Sequence, residues 1–191
     1  MIWDEAQRYF LSKLEGNSHV YKDLLLRHLK LVVNWGLIIL KKHLEADKEI
    51  TLTSIYLHDV GRLAIPKHED HAVASEVMAR EFLASQGYPP DKIERIAHCV
   101  RSHRCNDVQP ETIEAKILAV ADSASHLTDY AYLHLIHSGE KQYILEKLER
   151  DYRDIGLLPD IKKQLEPLYL AWEQLLKVFP DWKLEDIGDI V

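Results

Sequence analysis

Apolar side chains recur along this chain at the spacing of α-helices, whereas signals for β-strands are scarce. The sequence contains no Asn-Gly pair of the kind that closes a tight hairpin, and few stretches alternate between polar and apolar residues. Its 7 Gly and 7 Pro fit the punctuation of helices, which favour Pro near their starts and Gly after their ends. These features predict an all-α fold.

The turn and capping signals divide the chain into eight predicted helices. A TLTS stretch opens the third helix at residue 51, SQGYPPDK separates the fourth helix from the fifth, and NDVQPETIEAK leads into the sixth. The last two helices form an amphipathic pair in the C-terminal part of the chain, from about residue 139 to 191. The predicted ranges are 2–15, 19–45, 51–60, 70–86, 90–104, 111–137, 139–155 and 160–178.

The length and composition are those of one globular domain. The 191 residues, 47% hydrophobic and 29% charged, are enough to bury a core, and we expect a single domain over residues 1–191. The most apolar stretch, residues 24–40, is interrupted by polar side chains such as Arg27, Lys30 and Asn34. Its uninterrupted apolar run falls well short of the roughly 20 residues that a membrane span needs, so we interpret it as a core helix.

The charge balance excludes broad classes of partner. A formal net charge of −7 provides no general attraction to nucleic acid or to an anionic membrane, so we expect neither as a partner. The N-terminal MIWDEAQRYF lacks the pattern of a signal peptide, and Cys99 and Cys105 match neither a disulfide framework nor a usual zinc pair. We therefore expect a cytoplasmic location.

The 11 histidines are unusual in number, and their positions on the predicted helices separate inward from outward side chains. Residues seven or eleven apart on an α-helix lie within about 20° of one another. By this criterion His28 aligns with Trp35, and His71 aligns with Phe82, so both histidines are expected to face the core. A lone core histidine is more often satisfied by one hydrogen bond than used as a metal ligand.

On the fifth predicted helix, His103 aligns with the apolar Ile96, whereas His98 lies on the opposite face. His103 is therefore the better candidate ligand, and His98 is expected to be a surface or supporting side chain. Asp122 follows a stretch that is apolar on nearly all sides, so its direction is not predicted. Burying its carboxylate would require a cation or several donors; an exposed carboxylate, or one paired with His126, is the alternative.

The adjacent His58 and Asp59 end a short predicted helix and precede Gly61, which permits the chain to turn sharply. Neighbouring side chains at a helix end can converge on one ion, and the two oxygens of a carboxylate can bridge two ions. A mixed set of imidazole and carboxylate donors suits Mn, Fe, Ni, Co, Zn or Mg.

A His-Asp pair by itself is weak evidence for a metal site, but here it belongs to an ordered set of six residues from five predicted helices. The order resembles that of the HD superfamily of metal-dependent phosphohydrolases, whose pattern is H…HD…D with extra histidines in two-metal members. The resemblance covers about residues 20–135 and includes HDVGR (58–62), HAVASE (71–76), VRSHR (100–104) and ETIEAKILAVAD (111–122). The six residues are His28, His58, Asp59, His71, His103 and Asp122.

The resemblance implies an all-α HD-domain helical fold with its core at about residues 20–135, to which the C-terminal helical pair is added. It implies that a divalent cation is bound by four core ligands, and that His71 and His103 bind a second cation, with Asp59 bridging the two. With a single ion, His71 or His103 would bind phosphate or relay protons. The four core ligands are His28, His58, Asp59 and Asp122.

The activity implied is hydrolysis of a phosphate ester or anhydride of a small molecule, such as a nucleotide, with Asp59, His71 and His103 as catalytic residues. Arg62 is the first choice for a phosphate contact and Arg104 the second, and His68 is a further candidate. Each of these three side chains could equally be solvated or ion-paired. After Asp122 the chain reads SASHL where many relatives have a second charged pair, so the substrate pocket is expected to differ from theirs.

Three alternatives remain open at this point. Some relatives of this fold use a two-iron centre for oxidation by dioxygen, and other domains of this type bind a metal without turnover. An unrelated helical bundle, in which the histidines never meet, would remove the site altogether. The apolar YAYLHLIHSG, residues 130–139, is compatible with a homodimer contact and equally with a core helix.

Overall fold

The computed structural model describes residues 1–15, 19–65, 69–136 and 141–179, and within these ranges the chain forms helices and no β-strand. The all-α prediction is confirmed. The chain divides into two compact units, residues 1–122 and 123–191. The single domain expected from the sequence stays a prediction.

The first unit is built from helices, three of which pack against α3. Helix α3 packs against α1, α2 and α5, while α4 packs against α5 and against a short 3-10 helix. The boundary between the two units falls within α6. These elements are α1 (Ile2–Leu14), α2 (His19–Leu40), α3 (Lys48–Leu57), the 3-10 helix (Val60–Leu63), α4 (His71–Ser85), α5 (Pro90–Ser102) and α6 (Ile113–Leu127).

Helix α3 begins three residues before its predicted start, because Asp47 is its N-cap. The Asp47 side chain accepts hydrogen bonds from the backbone N–H groups of Glu49 and Ile50, at 2.9 and 3.2 Å. An N-cap carboxylate satisfies N–H groups that have no partner inside the helix. Thr51, which the sequence suggested as the opening residue, lies inside the helix and is fully buried.

Helix α3 is buried on nearly all sides, and its three buried hydroxyl groups have hydrogen-bond partners on the backbone of the same segment. The hydroxyls of Thr51, Thr53 and Ser54 donate to the backbone carbonyls four residues earlier, at 2.7 to 2.9 Å. Buried polar groups with internal partners avoid the penalty of an unmade hydrogen bond. A central helix can therefore carry three hydroxyl groups in the core of the first unit.

Gly61 lies where the 3-10 helix packs against the start of α4. A Cβ atom at Gly61 would lie 2.5 Å from the His71 carbonyl oxygen, 2.6 Å from Ser75 N and 2.9 Å from Ala74 Cβ. Gly61 N also donates a 2.8 Å hydrogen bond to Ser75 Oγ. The sequence suggested that Gly61 allows a sharp turn, but its φ is not positive. Glycine is required for the close approach of two backbones.

The second unit contains α7 (Ala131–Ile136), α8 (Lys141–Ile155) and α9 (Pro159–Val178). The prediction of one continuous helix over residues 111–137 was wrong, because α6 ends at Leu127. Thr128 Oγ1 donates to the Ala124 carbonyl at 2.8 Å, and Tyr130 N donates to Asp129 Oδ1 at 2.7 Å. Such side chains offer the backbone alternatives to helical hydrogen bonds.

The C-terminal helical pair predicted from the sequence corresponds to α8 and α9, which pack against each other. Helix α2 ends at Leu40, five residues before its predicted end at residue 45. Among the described residues, no helix combines the length and the apolar character that a membrane crossing requires.

A buried carboxylate connects α7 and α8 within the second unit. Asp151 Oδ2 accepts hydrogen bonds from Tyr132 Oη at 2.5 Å and from Lys147 Nζ at 2.9 Å, and it lies 3.3 Å from His126 Nδ1. Burial by itself would raise the pKa of Asp151, but these contacts outweigh burial and lower the pKa below the ordinary value of an aspartate. Tyr132 is fully buried, so this part of the 130–139 stretch belongs to a core.

We expect Gly61→Ala to destabilise the protein by about 3 kcal/mol, the upper end of the range for overpacking, because two of the opposing atoms are backbone. Gly87→Ala is the matched control. Gly87 has a φ of +65° and open space around its Cα, so it should lose only about 1 kcal/mol through backbone strain. Urea unfolding of both variants measures the difference; equal losses would contradict the close approach.

We expect Asp151→Asn to lower the free energy of unfolding at pH 7 by about 3 kcal/mol. The substitution leaves the partly buried ammonium group of Lys147 without its counter-charge. A carboxyl whose pKa is lowered by folding stabilises the native state above its ordinary pKa. That stabilisation is lost as the pH falls through the lowered value. The variant should therefore lose less stability than the parent between pH 5 and pH 2, as followed by chemical unfolding at each pH.

Candidate metal centre

Six histidine and aspartate side chains of the first unit converge in its interior, and each comes from a fixed place on a helix. His28 lies on α2 and Asp122 on α6, His58 and His103 follow the last residues of α3 and α5, Asp59 precedes the 3-10 helix, and His71 opens α4. His58, Asp59 and His103 are at most 3% exposed. The six are those selected from the sequence.

The first group of candidate ligands consists of His28, His58, Asp59 and Asp122. The Nε2 atom of His28 lies 3.2 Å from Asp122 Oδ1, 3.3 Å from His58 Nε2 and 3.6 Å from Asp59 Oδ2. His58 Nε2 in turn lies 3.7 Å from Asp59 Oδ2 and 3.8 Å from Asp122 Oδ1. Ligand atoms of His28, His58 and Asp59 all lie within 4.8 Å of one another, close enough to share one ion.

The second group consists of Asp59, His71 and His103, and it lies on the other side of the Asp59 carboxylate. Asp59 Oδ1 lies 3.3 Å from His71 Nε2 and 3.9 Å from His103 Nε2. These three residues also present ligand atoms within 4.8 Å of one another. Asp59 therefore directs Oδ2 to the first group and Oδ1 to the second, the arrangement in which one carboxylate can bridge two ions.

The ends of α3 and α5 orient two of the imidazole rings in the same way. His58 Nδ1 lies 2.7 Å from the Ile55 carbonyl oxygen, and His103 Nδ1 lies 2.6 Å from the Val100 carbonyl oxygen. A carbonyl oxygen only accepts, so each ring carries its proton on Nδ1 and presents the lone pair of Nε2. Fixing the outer nitrogen of a ligating histidine in this way is typical of metal sites.

Burial keeps two of the histidines neutral. Burial lowers the pKa of His71 to about 3, and the nearby Arg62 and His103 act in the same direction. Burial together with the neighbouring His58 lowers the pKa of His103 to about 4. Both rings are therefore in the neutral form that can donate a lone pair to a metal ion near pH 7.

Both carboxylates favour the charged form of His28. Burial opposes the charge on His28, but the Asp122 and Asp59 carboxylates outweigh it and raise the pKa of that ring. Burial likewise opposes the charge on Asp59, and Arg62 and the surrounding histidines outweigh it, so that the pKa of Asp59 falls far below its usual range. The ionised form of Asp59 is therefore the stable one.

Two buried atoms of the second group fit a bound cation. Asp59 Oδ1 and His71 Nε2 are inaccessible to solvent and make no hydrogen bond, although Arg62 Nε lies 2.8 Å from Asp59 Oδ1 in an ion pair. A buried polar atom without a hydrogen-bond partner, such as His71 Nε2, is rare and often marks an ion or a functional site. The mixed nitrogen and oxygen donors suit Mn, Fe, Co, Ni, Zn or Mg, and their chemistry alone does not select one.

Two of the proposed phosphate-binding residues, Arg62 and Arg104, lie near the second group and have different partners. Arg62 contacts Asp59, and its side chain is 42% exposed. Arg104 donates a 2.8 Å hydrogen bond to Asp70 Oδ1. His68 lies outside the described residues. His98 lies outside both groups and accepts a hydrogen bond from Glu111 N at 3.2 Å, as expected of a supporting side chain.

Asp70 is a residue of the site that the sequence reasoning missed. Its Oδ1 accepts a 2.9 Å hydrogen bond from Ala72 N as the N-cap of α4, and the same atom pairs with Arg104. The cap starts α4 at residue 71 and so places the His71 ring beside Asp59. An aspartate immediately before a predicted helix is a readable capping signal, but its pairing with Arg104 spans 34 residues.

Comparison with known proteins gave one family. The family model described as HD domain matches residues 25–126, more than half of the chain, and this range includes all six side chains of the two groups. Neither the curated proteins nor the solved structures gave a match.

We expect the two groups to lose metal separately. His71→Ala should reduce a two-ion stoichiometry to one, whereas Asp59→Ala should lose both ions, because only Asp59 belongs to both groups. Metal content after equilibrium dialysis against Mn²⁺, measured by elemental analysis, gives the stoichiometry. His98→Ala removes an imidazole outside both groups and should keep the parent value; a loss there equal to that of His71→Ala would contradict the assignment.

Proposed function

The chain belongs to the HD domain family, and we propose that it is a metal-dependent phosphohydrolase that cleaves a phosphate ester or anhydride of a small molecule, such as a nucleotide. The HD family consists generally of metal-dependent phosphohydrolases. One observation carries the proposal for this chain: a buried carboxylate, Asp59, separates two groups of donors that can each hold an ion.

The donor set fits one or two divalent cations. His28, His58, Asp59 and Asp122 would hold the first cation, and Asp59 with His71 and His103 the second. A bound divalent cation supplies two effects, a lower pKa for a water that it coordinates and neutralisation of charge on a phosphoryl oxygen. The family and the donors support a divalent metal but do not distinguish among Mn, Fe, Co, Ni, Zn and Mg.

The residues of the chain have distinct parts in this proposal. Asp59 stays ionised and sets the separation between the two groups. His58 and His103 keep their Nε2 lone pairs directed inward, because their Nδ1 atoms donate to backbone carbonyls. His71 and His103 are neutral near pH 7, so they act as ligands or accept a proton and do not supply positive charge to phosphate.

Positive charge for the phosphate comes from arginine in this proposal. Arg62 is partly exposed beside Asp59, and Arg104 is 35% exposed beside Asp70, so both guanidinium groups reach solvent at the edge of the second group. Guanidinium donors match phosphate oxygens in bidentate geometry. His68 stays a further proposed contact with the substrate.

Phosphate release is the direct test. The protein is stripped with a chelator, reloaded in turn with Mn²⁺, Co²⁺, Ni²⁺, Zn²⁺, Fe²⁺ or Mg²⁺, and incubated with nucleoside mono-, di- and triphosphates, dinucleotides and sugar phosphates. We expect metal-dependent release of phosphate or of a phosphorylated product. Asp59→Ala and Asp122→Ala should lower the rate more than about 100-fold, beyond the effect of removing only an outer partner of a ligand.

His98→Ala is the control for the rate measurement, and it should retain the parent rate. The two rival functions give different results in parallel assays. Oxygen uptake by the iron-loaded protein with candidate diols, without phosphate release, would favour a di-iron oxygenase. Metal binding without turnover in either assay would favour a regulatory domain. Either of these two results would overturn the hydrolase proposal.

A further inference from the structure

Arg62 contacts Asp59 Oδ1, the carboxylate oxygen that faces His71 and His103 in the second group. Its Nε atom lies 2.8 Å from Asp59 Oδ1, and the same oxygen lies 3.3 Å from His71 Nε2 and 3.9 Å from His103 Nε2. Oδ2, by contrast, lies beside His28 and His58. The guanidinium therefore engages the second group and not the first.

The backbone places the two side chains next to each other. Asp59 is the N-cap residue of the 3-10 helix of residues 60–63, and Arg62 N donates to the Asp59 carbonyl at 3.1 Å. Side chains three residues apart in a 3-10 helix lie above one another, so the Arg62 side chain starts above Asp59. The close packing of Gly61 against α4 anchors the same short helix next to His71.

A cation in the second group and the guanidinium would claim the same oxygen. Both are positive, and at a separation of a few ångströms in a buried site their repulsion is strong. The Arg62 side chain is 42% exposed, so it can move toward solvent while Asp59, at 3% exposure, stays in place. A second cation thus has a route to Oδ1, but only when the guanidinium leaves it.

We propose that Arg62 controls occupancy of the second metal position, because its guanidinium and a cation held by Asp59, His71 and His103 bind Asp59 Oδ1 in competition. This inference rests on the proposed metal centre and adds its regulation. It makes the first ion the tightly held one and the second the exchangeable one. Arg62 is then a positioning residue for the centre, independent of any contact that it makes with a phosphate.

A general effect of positive charge is the competing explanation, and Arg104 separates the two. Arg62 and Arg104 both lower the pKa of His71 by their charge, after the larger effect of burial. Arg104, however, contacts Asp70 and not Asp59. Arg104→Met therefore removes the same charge from the same neighbourhood without freeing Asp59 Oδ1, which makes it a matched control for Arg62→Met.

The test is a titration of the chelator-stripped, 191-residue protein with Mn²⁺, followed by calorimetry and by electron paramagnetic resonance, which distinguishes a single Mn²⁺ from a coupled pair. In the parent the second ion should bind more weakly than the first. Arg62→Met should tighten the second ion at least about tenfold, as expected for loss of a competing charge-assisted contact, and change the first less than about threefold. Arg104→Met should change both less than about threefold.

Unchanged binding of the second ion in Arg62→Met, or equal tightening in Arg104→Met, would overturn competition for Oδ1 and leave the metal centre and the hydrolase proposal intact. Failure of the parent to bind any Mn²⁺, Co²⁺ or Zn²⁺ would overturn the metal centre together with this inference. Arg62→Gln provides a second variant of different shape, and circular dichroism melting of all variants identifies any that do not fold. Arg62→Gln, like Arg62→Met, should bind the second ion more tightly than the parent does.

Discussion

Burial of the Asp59 carboxylate is the constraint on which the first unit depends. An ionised carboxylate in an apolar interior is very unfavourable unless opposite charge or hydrogen bonds compensate it. Here the carboxylate is 3% exposed, lies against imidazole rings on both sides and contacts one guanidinium. One buried residue thus requires several helices to bring donors to a common place, and four of the 11 histidines of the chain lie there.

The helix ends deliver those donors. Backbone carbonyls at the last turn of a helix lack partners within the helix, and in α3 and α5 the following histidine uses one of them to fix its ring. The cap at Asp70 and the close approach at Gly61 bring the start of α4 and the 3-10 helix together. The same local interactions that begin and end the helices therefore orient the candidate ligands, and the site needs no long loop to assemble it.

The contact between the Arg62 guanidinium and Asp59 Oδ1 has two effects. Arg62 lowers the pKa of the carboxylate and so favours its ionised form, and the same contact opposes a second cation at Oδ1. In the proposed function, a phosphorylated substrate would draw the partly exposed Arg62 guanidinium outward. Metal occupancy and substrate binding would then be linked through Arg62, which lies beside the buried Asp59 carboxylate.

The sequence by itself determined the helical class, the family resemblance and the direction of several side chains. The periodicity of α2, α4 and α5 predicted that His28, His71 and His103 point inward, because burial of an amphipathic face repeats every 3.6 residues. It could not orient Asp122, whose helix is apolar on nearly all sides. The start of α3 is readable from the sequence, because Asp47 is a capping signal, but the threonines that follow it favour a later start.

Tertiary structure decided the rest. That Asp59 directs one oxygen to each group, that Gly61 is needed for a close approach and not for a turn, and that Arg62 shares Oδ1 with His71 all depend on distances between helices. A sequence pattern carries the direction of a side chain relative to its own helix axis. It does not carry the packing distance between two helices, which only the complementary shapes of their buried faces fix.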